Sequence, residues 1–159
     1  MAPRHSAKIA TSSDALERIA RLPRPLVFTN GVFDVLHRGH VAYLEEARAL
    51  GASLVVAVNT DASVSRLGKG DDRPLNPLED RMAVLAALAA VDLVVPFDAD
   101  TPRELIVACR PDILAKGGDY TAATTAGAEE TIEAGGRFVA IPFEFDRSTS
   151  GLVRRIRGS

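Results

Sequence analysis

Two histidines bracket a glycine in the segment NGVFDVLHRGH, residues 30–40, where His37 and His40 lie three positions apart around Gly39. An apolar run precedes this segment and an amphipathic stretch follows it, so both imidazoles are expected near a helix N-terminus, where unpaired N–H groups attract anions. Gly39 would let the chain approach a ligand closely. The pattern favours phosphate chemistry. Two other interpretations stay open: one imidazole caps the helix while the other is exposed, or the pair binds zinc, for which the only further histidine is His5.

The lysines are the second candidate set. Lysine and arginine together number 19, and only Lys8, Lys69 and Lys116 are lysine. Lys69 and Lys116 each adjoin glycine. A lysine on a glycine-flanked loop offers a mobile point charge for a polyanion. The sequence GKGDDRP around Lys69 therefore favours a flap that orders over a triphosphate, although a solvated loop is the alternative.

Several common catalytic signatures are missing from the sequence. There is no G-x-x-x-x-G-K-[ST] phosphate loop and no G-x-G-x-x-G after a strand, which disfavours P-loop enzymes and dinucleotide-dependent dehydrogenases. The single cysteine, Cys109, lies among apolar residues and is interpreted as a small core residue. One cysteine also excludes a disulfide framework and suits a reducing compartment.

Short, mainly apolar runs without polar–apolar alternation predict strands that are buried on both faces. They are Leu26–Thr29, Leu54–Val58, Leu93–Val95, Asp112–Ala115 and Phe138–Ile141. Strands that alternate with helices through right-handed crossovers form a parallel sheet with helices on both faces. We expect an α/β, Rossmann-like fold of strand order 3-2-1-4-5. Ligands then bind beyond the carboxyl ends of strands 1 and 4, where the loops 30–40 and 116–120 lie.

Residues typical of helix N-termini lie between these runs. Asn76-Pro77-Leu78-Glu79 is typical of an N-cap, a proline at the first helical position and an acidic third position. Thr101-Pro102-Arg103-Glu104 repeats the arrangement. The predicted helices cover residues 40–50, 77–90, 102–109, 124–134 and 149–157.

Length and charge bound the remaining possibilities. A chain of 159 residues, 47% hydrophobic, with net charge −2, fits one globular domain over 1–159, with 1–12 as a loose tail. The near-neutral charge gives no reason to expect nucleic acid as a partner. The longest apolar run, 82–91, is too short to span a bilayer, and the N-terminus lacks the apolar segment of a signal peptide. We expect a cytoplasmic protein with no membrane partner.

The string GVFDVLHRGH resembles the G-x-F-D-x-x-H-x-G-H signature of the nucleotidyltransferases that carry the H-x-G-H motif. The resemblance extends along nearly the whole chain. The segments KGDDRPLNPLEDR, LAKGGDY and FEFDRSTS most resemble the branch that makes ADP-heptose from ATP and D-glycero-β-D-manno-heptose 1-phosphate. The chain is shorter than the forms fused to a sugar kinase, so a stand-alone adenylyltransferase is expected. Asp146 stands where that branch usually has glycine.

The resemblance implies roles for the nucleotide-side residues. His37, His40 and Lys116 would be catalytic, with the imidazoles donating to the α- and β-phosphates. Phosphate and nucleotide binding would involve glycines, an aromatic ring, a lysine and hydroxyls: Gly31, Phe33, Gly39, Lys69, Ser148, Thr149 and Ser150. Mg²⁺ would bridge phosphate oxygens, held by nucleotide and water rather than by a protein metal site.

The resemblance also implies acceptor-side residues. Substrate contacts are expected from Asp34, Asn59, Asp61, Arg81 and Asp119. Asp61 could instead cap the next helix, and Arg81 could pair with an acid on its own helix.

The resemblance implies ATP and a sugar 1-phosphate as partners, and a homodimer or higher homo-oligomer through the helix near 78–90. Three alternatives stay open: a cytidylyltransferase for glycerol 3-phosphate or another small alcohol phosphate, a nucleotide-binding regulatory module without turnover, and a scaffold that binds a separate kinase.

Overall fold

The central sheet has five parallel strands in the order β3-β2-β1-β4-β5. The computed structural model describes residues 4–68, 70–145 and 147–158. The strands are β1 (Leu26–Gly31), β2 (Ser53–Asn59), β3 (Leu93–Phe97), β4 (Ile113–Gly117) and β5 (Arg137–Ile141). Every pairing is parallel, with Val27 opposite Ile113 where β1 meets β4. The predicted fold class and strand order are confirmed.

Each strand sends alternate side chains into two separate cores. Val27 and Val56 face one cluster, whereas Phe28 and Val55 face the other. Successive residues of a strand point to opposite faces of the sheet, so a strand covered on both sides is apolar throughout. This explains why the strands are unbroken apolar runs in the sequence.

Seven α-helices lie within the described residues. They are α1 (Ala15–Ala20), α2 (Arg38–Ala49), α3 (Asp61–Arg66), α4 (Leu78–Ala87), α5 (Arg103–Cys109), α6 (Ala128–Glu133) and α7 (Thr149–Ile156). The sequence did not predict α1 and α3, which have only six residues each. Such short helices show little periodicity and depend on packing against the sheet.

The predicted caps of α4 and α5 are wrong by one residue. Pro77 and Pro102 occupy the N-cap positions rather than the first helical positions. Asn76, the expected cap of α4, instead donates its side-chain amide to the backbone oxygen of Asp34 at 2.5 Å. A tertiary hydrogen bond thus replaces the local one.

The helix predicted over 124–134 is divided. A 3₁₀ turn covers Ala122–Thr124, and α6 begins only at Ala128. Gly127 caps α6 with φ of 83°, and a Cβ there would lie 2.8 Å from the Ile106 side chain. Glycine therefore permits both the left-handed backbone and the close approach to α5.

The N-terminal segment does not match the expected loose tail. Residues Arg4–Lys8 form a 3₁₀ helix, and Ile9 makes a parallel bridge to Val94 of the edge strand β3. The Ala10 N–H donates to the Val94 oxygen at 2.9 Å, and Ala10 is buried. The described part of this segment therefore packs along the sheet edge.

Among the described residues, none of the helices has the length and apolar character needed to cross a bilayer.

Candidate active site

A cavity of about 530 Å³ opens at the carboxyl ends of β1 and β4, where the strand order reverses. This is the position at which parallel α/β sheets bind their ligands. Its lining includes most of the predicted catalytic and phosphate-binding residues, namely Gly31, Phe33, His37, His40, Lys116, Ser148, Thr149 and Ser150. Lys69 and Asp146 lie outside the described residues.

The two histidines form a stacked pair at the start of α2. Their ring centroids are 3.9 Å apart, with 24° between the planes. His37 is the N-cap, and its Nδ1 accepts from the Gly39 N–H at 3.1 Å. The Nδ1 of His40 accepts from the His37 N–H at 3.3 Å. Because both Nδ1 atoms accept, each neutral ring carries its proton on Nε2. Each histidine therefore accepts a backbone N–H through Nδ1 at the start of α2 and keeps an Nε2–H group as a donor.

Both imidazoles are held in the neutral form. Burial, followed by the proximity of His37, lowers the pKa of His40 to about 4. Burial and the charge of Arg147 also lower the pKa of His37. At neutral pH the pair therefore offers two N–H donors without requiring protonation of either ring.

Gly39 and Gly31 make room for the rings. A Cβ on Gly39 would lie 3.0 Å from the His37 ring, and a Cβ on Gly31 would lie 2.9 Å from the Phe33 ring. Phe33, at φ of 49°, meets His40 edge-on with ring centroids 5.3 Å apart. Phe33 thus packs against the His40 ring as well as lining the cavity.

Tyr43 joins α2 to the sheet directly beneath the histidines. Its buried hydroxyl lies 2.5 Å from Thr29 Oγ1 and donates to the Ala115 oxygen at 3.2 Å. One side chain therefore contacts α2, β1 and β4 together. The sequence analysis missed this residue, because a tyrosine three positions after His40 has the spacing of ordinary helix core.

Lys116 reaches the cavity from β4. Its Nζ lies 3.2 Å from Asn30 Oδ1 and 3.3 Å from the Asn30 oxygen, across the switch between β4 and β1. It also lies 5.1 Å from the centre of the Tyr120 ring. A single cation is thus placed where the two central strands end.

The segment before α7 also lines the cavity. Ser148 is the N-cap, and its Oγ accepts from the Gly151 N–H at 3.0 Å. Thr149 Oγ1 donates to the Val35 oxygen at 3.1 Å, which fixes α7 to the loop that carries the histidines. The first N–H groups of a helix have no intrahelical acceptor, so this end of α7 is suited to phosphate.

Arg81 does not contact the cavity, which corrects its prediction as a substrate ligand. Its side chain is 0% exposed, and all three guanidinium nitrogens have acceptors. Nε donates to Asn76 O at 2.9 Å, Nη1 to Val32 O at 2.8 Å and Asn59 O at 2.9 Å, and Nη2 to Asp61 at 2.6 Å. Arg81 therefore ties together the chain after β1, the end of β2 and the start of α3.

Three other residues predicted on the acceptor side are absent from the lining of the cavity. Asp61 pairs with Arg81, which lies on another helix, and Thr60 rather than Asp61 caps α3. Asn59 is buried and donates to Ser63 Oγ at 2.9 Å. Asp119 is exposed and does not line the cavity. These side chains serve the fold or the surface.

Asp34 lies at the cavity, but its carboxylate is already occupied. It accepts from Arg73 Nε at 2.6 Å and from the N–H groups of Leu75 and Asn76 at 2.9 Å each. Burial opposes ionisation of Asp34, but the N–H groups of Asn76 and Leu75 and the Arg73 guanidinium outweigh it and lower its pKa. The expected hydrogen bonds to sugar hydroxyls are replaced by bonds to residues 73–76.

Two arginines that the predictions did not include, Arg73 and Arg147, also line the cavity. Each comes from a loop whose position depends on the tertiary fold. Cys109 is buried, and burial raises its pKa to about 12, which agrees with a core role.

The described residues do not build a protein metal site. They contain no group of three or more His, Cys, Asp or Glu side chains placed to hold an ion. Asp34, the carboxylate at the cavity, is occupied by Arg73 and two backbone N–H groups. These residues do not fit a resident metal, so a metal ion here would have to be held by the ligand and water.

Comparisons with known proteins agree with this geometry. The family model described as cytidylyltransferase-like matches residues 28–148, which include the sheet, the histidine pair and Ser148. The chain belongs to the cytidylyltransferase-like family. Among members of related sequence, D-beta-D-heptose 1-phosphate adenylyltransferase of Bordetella bronchiseptica is 58% identical over 97% of this chain and 96% of its own. The bifunctional protein HldE of Photorhabdus laumondii is 54% identical over 91% of this chain, which covers 29% of that protein.

Solved structures of other proteins show a similar fold. The lipopolysaccharide core biosynthesis protein from Thermoplasma volcanium matches with a TM-score of 0.63 and 28% identity, over 76% of this chain and 98% of the other. Pantothenate synthetase from Thermus thermophilus matches with a TM-score of 0.59 and 20% identity, over 85% of this chain and 61% of the other, which supports the fold alone. The predicted membership of the nucleotidyltransferases is confirmed.

Proposed function

We propose that this protein transfers the adenylyl group of ATP to D-glycero-β-D-manno-heptose 1-phosphate, which yields ADP-heptose and pyrophosphate for the lipopolysaccharide inner core. The observation that carries the chemistry is the histidine pair, whose two Nε2–H donors are fixed at one cavity. The 58% identity to a heptose 1-phosphate adenylyltransferase over almost both full lengths supports the acceptor.

The reaction is an in-line displacement at the α-phosphorus of ATP. One oxygen of the sugar phosphate forms the new P–O bond while the bond to the pyrophosphate oxygen breaks. The attacking phosphate is already anionic near neutral pH, so no general base is needed. Catalysis therefore depends on positioning two polyanions and stabilising the charge that develops.

His37 and His40 stabilise the charge that develops during the displacement. Their Nε2–H groups donate to oxygens of the α- and β-phosphates, where negative charge shifts as the bond breaks. Neutral donors in a partly buried site need no reorganisation at the moment of reaction. The Nδ1 bonds to the backbone keep both rings in the required tautomer.

Lys116 and the start of α7 position the two polyanions. Lys116 brings a cation to the point between β1 and β4, where the two substrates meet. The N–H groups at the start of α7 and the hydroxyls of Ser148 and Ser150 receive the β- and γ-phosphates. Lys69 would add a charge from its loop. Mg²⁺ would enter with ATP as part of the substrate.

We also propose a homodimer or higher homo-oligomer in the cytoplasm, where ATP is available. On α4, Val84 is 51% exposed, which leaves an apolar position on the helix for which the sequence predicted self-association. Light scattering at working concentration tests this point, and a monomer mass would contradict it.

Pyrophosphate release tests the function. The protein is assayed with ATP and with CTP, each against heptose 1-phosphate and glycerol 3-phosphate. We expect turnover with ATP and heptose 1-phosphate, and its loss when His37 or His40 is replaced by Ala. Turnover only with CTP would overturn the proposed reaction, and nucleotide binding without any turnover would favour a regulatory module.

A further inference from the structure

Arg73 has a buried side chain with an unused hydrogen-bonding edge at the cavity. The side chain is 9% exposed and lines the cavity, and Nε donates to Asp34 at 2.6 Å. Among the described residues, Nε is the only nitrogen of this guanidinium with an acceptor. Every fully buried side-chain nitrogen or oxygen of the described residues has a hydrogen-bond partner. Because the two Nη groups of Arg73 have none, they must be accessible to solvent or to a ligand. A guanidinium carries five N–H donors, and four of them remain for a ligand.

Asp34 determines where this edge lies. Its carboxylate binds Arg73 Nε on one side and the N–H groups of Leu75 and Asn76 on the other, and its backbone oxygen accepts from the Asn76 side chain. The segment 73–76 is thereby fixed to the loop that follows β1. A planar fork held at Nε by a buried carboxylate presents its Nη groups in a fixed direction, which suits bidentate binding of phosphate.

Arg73 and the start of α7 reach the same cavity from different connections of the fold. Arg73 lies in the connection from β2 to β3, whereas α7 follows β5, and these strands flank the central pair on opposite sides. In an in-line displacement, the attacking and leaving oxygens lie on opposite sides of the phosphorus. Thr149 contacts Val35, and Arg157 pairs with Asp72, so α7 and the Arg73 segment border one cavity. If the start of α7 receives the pyrophosphate, the Nη groups of Arg73 offer a separate cationic contact for the attacking phosphate.

We propose that Arg73 binds the phosphate of the incoming sugar 1-phosphate through its Nη groups, and that Asp34 is the residue that positions it. This inference rests on the proposed function, since it assigns the acceptor subsite of the same cavity. The sequence predicted Arg81 as the arginine that contacts the acceptor. The structure assigns this contact to Arg73, the other arginine of the segment KGDDRPLNPLEDR.

Steady-state kinetics of Arg73→Gln test the assignment. Loss of a charged, bidentate contact should raise the KM for heptose 1-phosphate by about 10- to 100-fold. The KM for ATP should stay within about twofold, because the donors proposed for ATP are the histidines and the start of α7 rather than Arg73. Arg66→Gln, at an exposed arginine paired with Asp98 and Asp100, is the matched control and should leave both constants unchanged. A rise in the KM for ATP alone would overturn the assignment.

A binding experiment separates this assignment from the identity of the sugar. Inorganic phosphate is titrated by calorimetry into protein saturated with α,β-methylene-ATP. The wild type and Arg66→Gln should bind phosphate equally, and Arg73→Gln should bind it at least about tenfold more weakly. Equal binding by Arg73→Gln would overturn the role of Arg73. Failure of the wild type to use heptose 1-phosphate would contradict only the proposed function.

Asp34→Asn tests the positioning role. Asparagine keeps one acceptor oxygen but loses the charge that holds the guanidinium, so the KM for the sugar phosphate should rise while the KM for ATP does not. Arg73→Lys provides a second variant, because one ammonium cannot bond Asp34 and a phosphate in the fork geometry. Thermal melting checks that each variant folds. An equal loss in kcat with both KM values unchanged would contradict positioning of the acceptor.

Discussion

Arg81 and the histidine pair both lie where β1 ends, and they use their hydrogen-bonding groups in opposite ways. Every nitrogen of Arg81 donates to an acceptor from the protein, and the side chain is wholly buried. Within the described residues, the hydrogen bonds of His37 and His40 side chains use Nδ1, which leaves each Nε2–H for the cavity. A buried polar group with all its bonds made stabilises the fold, whereas donors kept at a cavity bind a ligand. Polar side chains at the same end of the sheet can therefore have unrelated roles.

The largest effect is expected at the histidines. Replacing either His37 or His40 by Ala should lower kcat by about 10²- to 10³-fold, since each removes one donor to developing charge. His37→Asn separates capping from catalysis, because an Asn oxygen can accept from the Gly39 N–H but offers no imidazole N–H. It should be as inactive as His37→Ala yet more stable to denaturant. Activity near wild type in His37→Asn would show that His37 is only a cap.

Arg81 should have its main effect on stability. Arg81→Met leaves three backbone oxygens and Asp61 without their partner, which should lower the free energy of unfolding by about 3–5 kcal/mol. Denaturant unfolding measures this, with Arg66→Met as the exposed control, for which about 0–1 kcal/mol is expected. A normal unfolding midpoint together with a raised KM for the sugar phosphate would restore Arg81 as a substrate ligand.

Acid should weaken the fold through His40. Its pKa is about 4 in the folded protein against an ordinary 6.5, so the unfolded chain takes up a proton first as the pH falls. Stability that depends on neutral His40 is therefore complete above pH 6.5 and is lost progressively towards pH 4. NMR titration of the imidazole and denaturant unfolding across this range measure both quantities. His40→Asn, which keeps an acceptor for the His37 N–H, should remove this part of the slope; an unchanged slope would contradict the assignment.

The smallest effect is expected at the start of α7. Ser148→Ala removes the oxygen that accepts from the Gly151 N–H and should cost the helix about 1 kcal/mol. None of the α7 residues is buried, so the loss should appear as local fraying rather than global unfolding. Faster amide exchange over 149–152 and a KM for ATP raised by a few-fold would agree. A changed KM for the sugar phosphate alone would place α7 on the acceptor side.

The sequence predicted the parts that depend on local pattern. Apolar runs located all five strands, and the histidine pair, Lys116 and Ser148–Ser150 all lie at the predicted cavity. A loop that directly follows a central strand has its position determined by that strand, so its residues can be placed once the strand order is known.

The incorrect predictions involve residues whose partners are distant in the chain. Asp34 bonds residues 39 to 42 positions away, and Arg81 bonds Val32, 49 positions away. The sequence shows an acidic residue and an arginine near a motif, but not which of them face each other. Arg73 and Arg81 have similar sequence surroundings. The connection between β2 and β3 places Arg73 at the cavity and buries Arg81 within the fold.

The bonds that Tyr43 makes to β1 and β4 do not depend on the protonation of the histidines. Burial raises the pKa of its hydroxyl to about 12, although the bond to Thr29 partly offsets this. The group therefore keeps its proton, and its bonds to β1 and β4, over the whole interval in which the imidazoles above it titrate. Protonating the histidines removes the Nδ1 acceptors at the start of α2. The attachment of the same helix to β1 and β4 through Tyr43 does not depend on that titration.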